Sequence, residues 1–191
     1  VGDICSIRIE KDGRDAFAEV VGFREGRVLL MPLGSTAGIS PGSQVTAAGK
    51  PLMARVGPDI LGRVLGGLGE PIDGKGPIIG AVDRPLDADP PDPVKRPRVT
   101  EVMKVGIRAI DGLLTVGRGQ RIGIFAGSGV GKSTVMGMIA RNAEADVNVI
   151  SLVGERGREV RDFIEESLGE EGLKKSVVIV ATSDQPPLIR L

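Results

Sequence analysis

At 191 residues the chain is long enough for one large domain or two small ones, and its 25 lysines and arginines balance 25 aspartates and glutamates, so no net field draws it to nucleic acid or to an anionic membrane. With no histidine and the single cysteine Cys5, histidine triads, histidine-ligated metals and internal disulfides are excluded, which leaves acid–base work to carboxylates and lysines. Four phenylalanines without tyrosine or tryptophan argue against base stacking, and no apolar run reaches the roughly 18 residues that span a bilayer. The N-terminus lacks a secretory pattern and starts at Val1 without a methionine, so a fragment of a cytoplasmic protein is expected.

Residues 1–52 read as β. Residues 3–10 (DICSIRIE) alternate apolar and polar side chains, the period of a half-buried strand. Residues 16–23 and 27–33 flank Arg24-Glu25-Gly26, where Gly26 can take positive φ, which predicts a hairpin. A turn at 38–43 (GISPGS) precedes a further short strand at 44–48. Short strands at this spacing predict a small barrel or sandwich in a scaffolding role. Residues 53–100 hold too many glycines and prolines for a long element and are expected to form a connector, extended at 87–93 (DADPPDP). The Lys95-Arg96-Pro97-Arg98 cluster in it has no flanking aromatics and reads as solvated charge.

From 101 to 191 the pattern becomes α/β. The apolar run 121–126 (RIGIFA) is predicted as a strand, followed by the turn Gly127-Ser128-Gly129-Val130-Gly131 and a helix from Lys132-Ser133-Thr134 onward. Strand, glycine turn and helix in that order form a phosphate-binding loop. Glycine backbones curl around phosphate oxygens, and the helix N-terminus adds unpaired N–H groups and partial positive charge. In this reading residues 128–134 hold a nucleotide's phosphates, Lys132 reaches the β- and γ-phosphates, and the Ser133 hydroxyl ligates Mg²⁺. Ala126 stands where the usual pattern has its first glycine.

Two more apolar runs, 146–153 (DVNVISLV) and 176–182 (SVVIVAT), are predicted as strands buried in a parallel sheet. Between them Val160, Phe163, Ile164 and Leu168 share one helix face, with Gly169 as the expected C-cap. Strands joined by single helices imply βαβ units, whose ligands lie at the C-terminal strand ends. Gly154-Glu155-Arg156-Gly157-Arg158-Glu159 follows such an end. A carboxylate there orients, or takes a proton from, the water that attacks a γ-phosphate, and an arginine holds phosphate oxygens. Taken by itself, the same string also fits a solvated charge cluster at a helix start.

These motifs together carry a family resemblance. GRGQR at 117–121, FAGSGVGKS at 125–133 and GERGREV at 154–160 resemble the type III protein-export ATPases, the flagellar export ATPase most of all. GRVLGGLGEPIDGKGP at 62–77, GIRAIDGLL at 106–114 and ATSDQPPLIRL at 181–191 fit as well, and Gly66 stands where aspartate is expected. The resemblance implies a RecA-like P-loop core behind a small N-terminal β-barrel, related to the catalytic subunit of rotary ATP synthase and assembled as a homohexamer. It implies ATP and Mg²⁺ as ligands, Lys132 and Ser133 on phosphate and Mg²⁺, Glu155 as catalytic carboxylate and Arg156 on the γ-phosphate. The implied partners are an inhibitory regulator, a stalk protein, export chaperones with their substrates and the export gate at the inner membrane, where the protein would be peripheral.

The same resemblance implies that the first barrel strands precede Val1. It places the Mg²⁺-holding acidic strand, the adenine loop, the arginine finger and a helical domain beyond Leu191, so the strand at 176–182 is expected to be left as a bare edge. Two alternatives are a rotary synthase subunit, disfavoured by SGVGKS and GERGREV, and an RNA-translocating hexamer, disfavoured because residues 1–52 hold only Phe17 and Phe23 as aromatics. A non-hydrolysing regulatory subunit is disfavoured by Glu155.

Overall fold

The computed structural model describes residues 1–9, 13–127 and 129–191. Strands β1 (Asp3–Arg8), β2 (Asp15–Arg24), β3 (Arg27–Pro32) and β4 (Val45–Pro51) form an antiparallel sheet in the order β3-β2-β1-β4. The expected hairpin is present. Arg24 pairs with Arg27, and Glu25 and Gly26 between them sit at φ 50 and 73, the two left-handed residues that match a tight turn to twisted strands. Ile4, Cys5 and Ile7 of β1 are buried with Ala18, Val20 and Leu33. The first strand ends at Arg8, and Glu10 lies outside the described residues.

The stretch expected to be a connector contributes strands of its own. β5 (Met53–Val56) pairs antiparallel with β7 (Val82–Pro85), while β6 (Val64–Gly66) joins the sheet of the second half. Directly before β6, Arg63 donates Nε–H to Asp73 Oδ2 at 2.7 Å and Nη2–H to Oδ1 at 3.0 Å, with side chains only 10% and 6% exposed. The backbone N–H groups of Val64 and Lys75 also donate to that carboxylate, and Arg63 reaches the Gly76 carbonyl. Asp73 thereby folds residues 70–76 back over β6, where Ile72 N–H bonds the Val64 carbonyl. A Cβ on Gly66 would meet only the Glu70 carboxylate, the far end of a flexible side chain that can swing aside, so packing does not explain glycine in place of the aspartate expected from the resemblance.

The second sheet is parallel, in the order β6-β9-β8, with β8 (Asn148–Val153) and β9 (Ser176–Ala181). β9 is therefore central rather than the bare edge expected, since β6 covers its second side. Its residues are buried on both faces apart from half-buried Ile179. β8 departs from the expectation in the other direction: Ile150 and Leu152 are buried, but Val149 on the opposite face is 71% exposed.

Helices α1 (Arg108–Leu113), α2 (Lys132–Asn142), α3 (Gly157–Asp162), α4 (Gly169–Lys174) and α5 (Pro187–Arg190) complete the second half. Ala140, Val160, Phe163 and Leu168 pack on Val64, Ile150, Leu152, Val178 and Val180 to make its main core. The end of α2 is held by side chains, with Asn148 Nδ2 donating to the Ala140 carbonyl and Lys175 Nζ to that of Arg141.

Gly169 caps the helix as expected, at φ 66, but the turn before it is not α-helical: residues Phe163–Leu168 widen into a π-helical turn, Gly169 N–H bonds the Ile164 carbonyl five residues back, and the short helix α4 follows at once. One prediction of local structure fails. The run 121–126 is not a strand. An apolar run becomes one only where a neighbouring edge accepts its N–H groups, and among the described residues none does; Phe125 is 97% exposed.

The buried ion pair makes stability depend on acid. The Arg63 hydrogen bonds, opposed by burial and helped by the Val64 and Lys75 N–H groups, hold the Asp73 carboxyl well below the usual carboxylate range. A depressed folded pKa stabilises fully above the unfolded value of about 4 and is lost as pH falls below it. Asp73→Asn in the intact protein is expected to lower Tm by roughly 5–10 °C at pH 7. The gap to wild type should narrow steadily below about pH 4, which thermal scans across pH read directly.

Candidate nucleotide-phosphate site

The site begins with backbone angles only glycine takes easily. Gly129 sits at φ 76 and Gly131 at φ 94, the latter as the residue that opens α2. The first helical bond runs from Val135 N–H to the Gly131 carbonyl, and among the described residues no side chain caps this end. The N–H groups of Lys132, Ser133 and Thr134 therefore stand ahead of the helical ladder, free to meet an anion. Lys132, Ser133 and Thr134 are exposed, as is Val130; Ser128 lies outside the described residues.

The opposite wall comes from the end of β8. Gly154 (φ 75) donates its N–H to the Ala181 carbonyl at 2.7 Å, and Ser183 N–H bonds the Glu155 carbonyl at 3.0 Å. The loop after β9 thus pins the backbone of Glu155, leaving its side chain half-buried beside the glycine turn. Arg156 opens α3 and pairs with Glu159 across one turn, Nη1 to Oε1 at 3.5 Å, both exposed. A pair so open to water holds Arg156 weakly and leaves it free to turn to a ligand.

These walls enclose one cleft. Gly127, Gly129, Gly131, Lys132, Ser133 and Thr134 line it on one side, Glu155, Arg156, Arg158, Glu159 and Asp162 on the other, around a volume of about 530 Å³. The structure thus brings together Gly129, Gly131, Lys132, Ser133, Thr134, Glu155 and Arg156, seven of the residues picked from sequence. Val130 is not among the lining residues. Met136 and Phe163 form the floor, sharing a deeper recess with Lys132, Ser133 and Glu155. Sequence reasoning missed them because an apolar residue on a helix face carries the same signal whether it floors a cleft or fills a core.

The charge balance says what the cleft accepts. Lys132, Arg156 and Arg158 face Glu155, Glu159 and Asp162, so the side chains nearly cancel. Attraction for a polyphosphate then rests on the exposed N–H groups and on a cation carried with it. The donors suit Mg²⁺, which takes a hydroxyl and phosphate oxygens and keeps several waters rather than demanding an all-protein cage; among the described residues no cluster of three or more His, Cys, Asp or Glu forms such a cage.

Comparison with known proteins agrees with this geometry. Residues 106–191 match the model of the ATP synthase alpha/beta family, nucleotide-binding domain, and residues 1–49 that of the same family's beta-barrel domain. The chain belongs to the ATP synthase alpha/beta family. Within it, the chain is similar to the "Flagellum-specific ATP synthase" of Bacillus subtilis, 58% identical over 192 residues that cover 100% of this chain and 44% of that protein. The assembled ATPase EscN from the type III secretion system of enteropathogenic E. coli superposes with a TM-score of 0.85 at 43% identity, covering 100% of this chain and 45% of EscN. EscN in complex with its central stalk EscO gives 0.85 at 42% identity, covering 100% of this chain and 49% of EscN. The chain thus spans less than half the length of these relatives. The expected resemblance to type III export ATPases and the expected barrel-plus-nucleotide-domain architecture are borne out.

Gly131 offers a direct check on the family's loop in this chain. A Cβ there meets no atom of the described residues within 4 Å, so Gly131→Ala acts through backbone preference. Left-handed backbone costs an L-residue about 1–2 kcal/mol, and ATP affinity measured by calorimetry on the intact protein is expected to fall about tenfold while Tm moves little.

Proposed function

We propose that the intact protein hydrolyses ATP in this cleft and uses the energy to drive export of protein substrates through a flagellar-type (type III) secretion apparatus. One observation carries the chemistry: the free N–H groups of the glycine turn and the Glu155 carboxylate line the same cleft. The names of the similar proteins support the cellular role.

In this reading the 129–134 backbone and Lys132 Nζ bind the β- and γ-phosphates, and Ser133 Oγ would hold Mg²⁺. When bound, Mg²⁺ neutralises charge across the phosphate oxygens. Glu155 accepts a hydrogen bond from the attacking water and takes up its proton as the bond to phosphorus forms. Arg156, released from Glu159, holds the γ-phosphate oxygens as charge moves toward the leaving oxygen. Phe163 and Met136 keep bulk water from the recess behind the phosphates.

A homohexamer and a stalk-protein partner belong to the same proposal, supported by EscN being solved both assembled and with its stalk EscO. An inhibitory regulator, export chaperones and the export gate complete the proposed partners. A cytoplasmic protein peripheral to the inner membrane fits, and among the described residues no helix is long and apolar enough to cross a membrane.

Two substitutions separate the proposed roles. Lys132→Ala in the intact protein should cost about 2–4 kcal/mol of ATP binding, because triphosphate oxygens lose a charged partner. Glu155→Gln should keep ATP affinity and assembly while kcat falls about 10²- to 10⁴-fold. Turnover within a few-fold of wild type would reduce Glu155 to a surface carboxylate.

A further inference from the structure

Beneath the cleft its two walls approach each other closely at Gly137. This glycine is buried in the interior of α2, a place where glycine is unfavourable unless packing demands it. Packing does demand it: a Cβ on Gly137 would collide with the carbonyl carbon, carbonyl oxygen and Cβ of Ser167. Ser167 belongs to the π-helical turn that continues α3 and itself lines the cleft. The obstruction is mostly backbone, so no rotamer change relieves it. By contrast, a Cβ on Gly172 would meet chiefly Leu168 and Arg141 side-chain carbons, which can shift.

The position gives this contact leverage. Gly137 lies five residues after Lys132, about 7.5 Å along the helix, and follows Met136, which floors the recess with Phe163. Phe163 opens the same π turn that ends next to Ser167 at Leu168. α2 carries the phosphate-binding side chains, and β8 with α3 carries Glu155 and Arg156. How deeply α2 seats on the π turn therefore sets the span from Lys132 and Ser133 to Glu155.

We propose that Gly137 and the Ser167 carbonyl form a positioning contact that fixes the spacing between the phosphate-binding wall and the Glu155 wall of the cleft. The proposal rests on the hydrolytic reading above. In that reading ground-state phosphate binding draws mainly on α2 and its loop, with Arg156 engaging as charge develops, so binding survives a shift of the helix as a unit. Hydrolysis needs both walls in register, and a displacement on the order of 1 Å can cost 10²-fold in rate.

The test is Gly137→Ala in the intact protein, with ATP dissociation constant, steady-state kcat and Tm measured together. The expected result is kcat lower by about 10- to 10²-fold with ATP affinity within about threefold of wild type. Gly172→Ala, in α4 and away from the cleft, should leave kcat within about twofold. If Gly137→Ala is not recovered folded, pairing it with Ser167→Gly removes the side-chain part of the collision, Ser167 Cβ, while the carbonyl still obstructs, and this double variant should lower kcat at least about threefold at unchanged affinity. Wild-type kcat in these variants would overturn the proposal, as would equal losses in Gly172→Ala or parallel losses of affinity and rate. A wild-type protein that binds ATP without turning it over would overturn the hydrolytic reading along with it; a wild-type enzyme matched by Gly137→Ala would overturn only this one.

Discussion

Everything that shapes the cleft hangs on β9. Its neighbours on both edges are parallel strands, and Val178 and Val180 face the helices while Val177 packs on Leu65 and Ile78 on the other side. A strand buried on both faces and paired on both edges has no unsatisfied backbone and little freedom to move. The residues beyond its end inherit that rigidity. Gly154 N–H bonds the Ala181 carbonyl, Ser183 N–H bonds the Glu155 carbonyl, and the backbone that carries a candidate catalytic carboxylate is thereby anchored by a strand more than twenty residues away in sequence.

Below the sheet, Ser176 ties the opposite end together. Its hydroxyl donates to the Gly172 carbonyl at 2.6 Å and accepts from Asn148 Nδ2 at 3.2 Å, and Asn148 reaches the end of α2. A fully buried hydroxyl with both roles satisfied adds specificity without an unpaired polar group. The far end of α2 is thus locked to the sheet by polar contacts. Its near end, at Lys132, is left uncapped and open to ligand.

What could be read from sequence was what depends on neighbours in the chain. The Glu25-Gly26 turn announced its hairpin because turn geometry is decided by a few adjacent residues. The start of α2 and the strand runs at 148–153 and 176–181 were equally plain, since glycines and apolar runs act locally. Pairings between distant segments left no such mark: Val64 lies beside Val178, and nothing in GRVLGG names that partner. The run 121–126 failed for the converse reason, as apolarity encodes burial but not which edge will supply the hydrogen bonds. The π turn hid because Val160, Phe163, Ile164 and Leu168 still share a buried face when the hydrogen bonds between them lengthen by one residue. The chemistry-bearing residues of the site were legible because lysine, serine and glutamate at loop–helix junctions have few structural reasons to be there. Phe163 and Met136 have a structural reason, and that reason concealed them.

The division of the cleft into two walls explains how binding and chemistry can be separated in one small site. The groups proposed to bind phosphate sit on the first turn of α2 and the loop before it, a unit whose hydrogen bonds, among the described residues, do not involve β8. The groups suited to act on water and on developing charge sit at the end of β8 and the start of α3, held by β9. A nucleotide meets free N–H groups on the first wall whatever the second wall does. In the proposed reading, reaction requires the second wall to arrive at a set depth, and the contact proposed to set it lies where α2 has no side chain, against a helix turn widened by one residue. A helix interior glycine and a π turn are each unfavourable alone. Together they let two backbones meet more closely than side chains permit, and the core beneath the cleft is built around that approach.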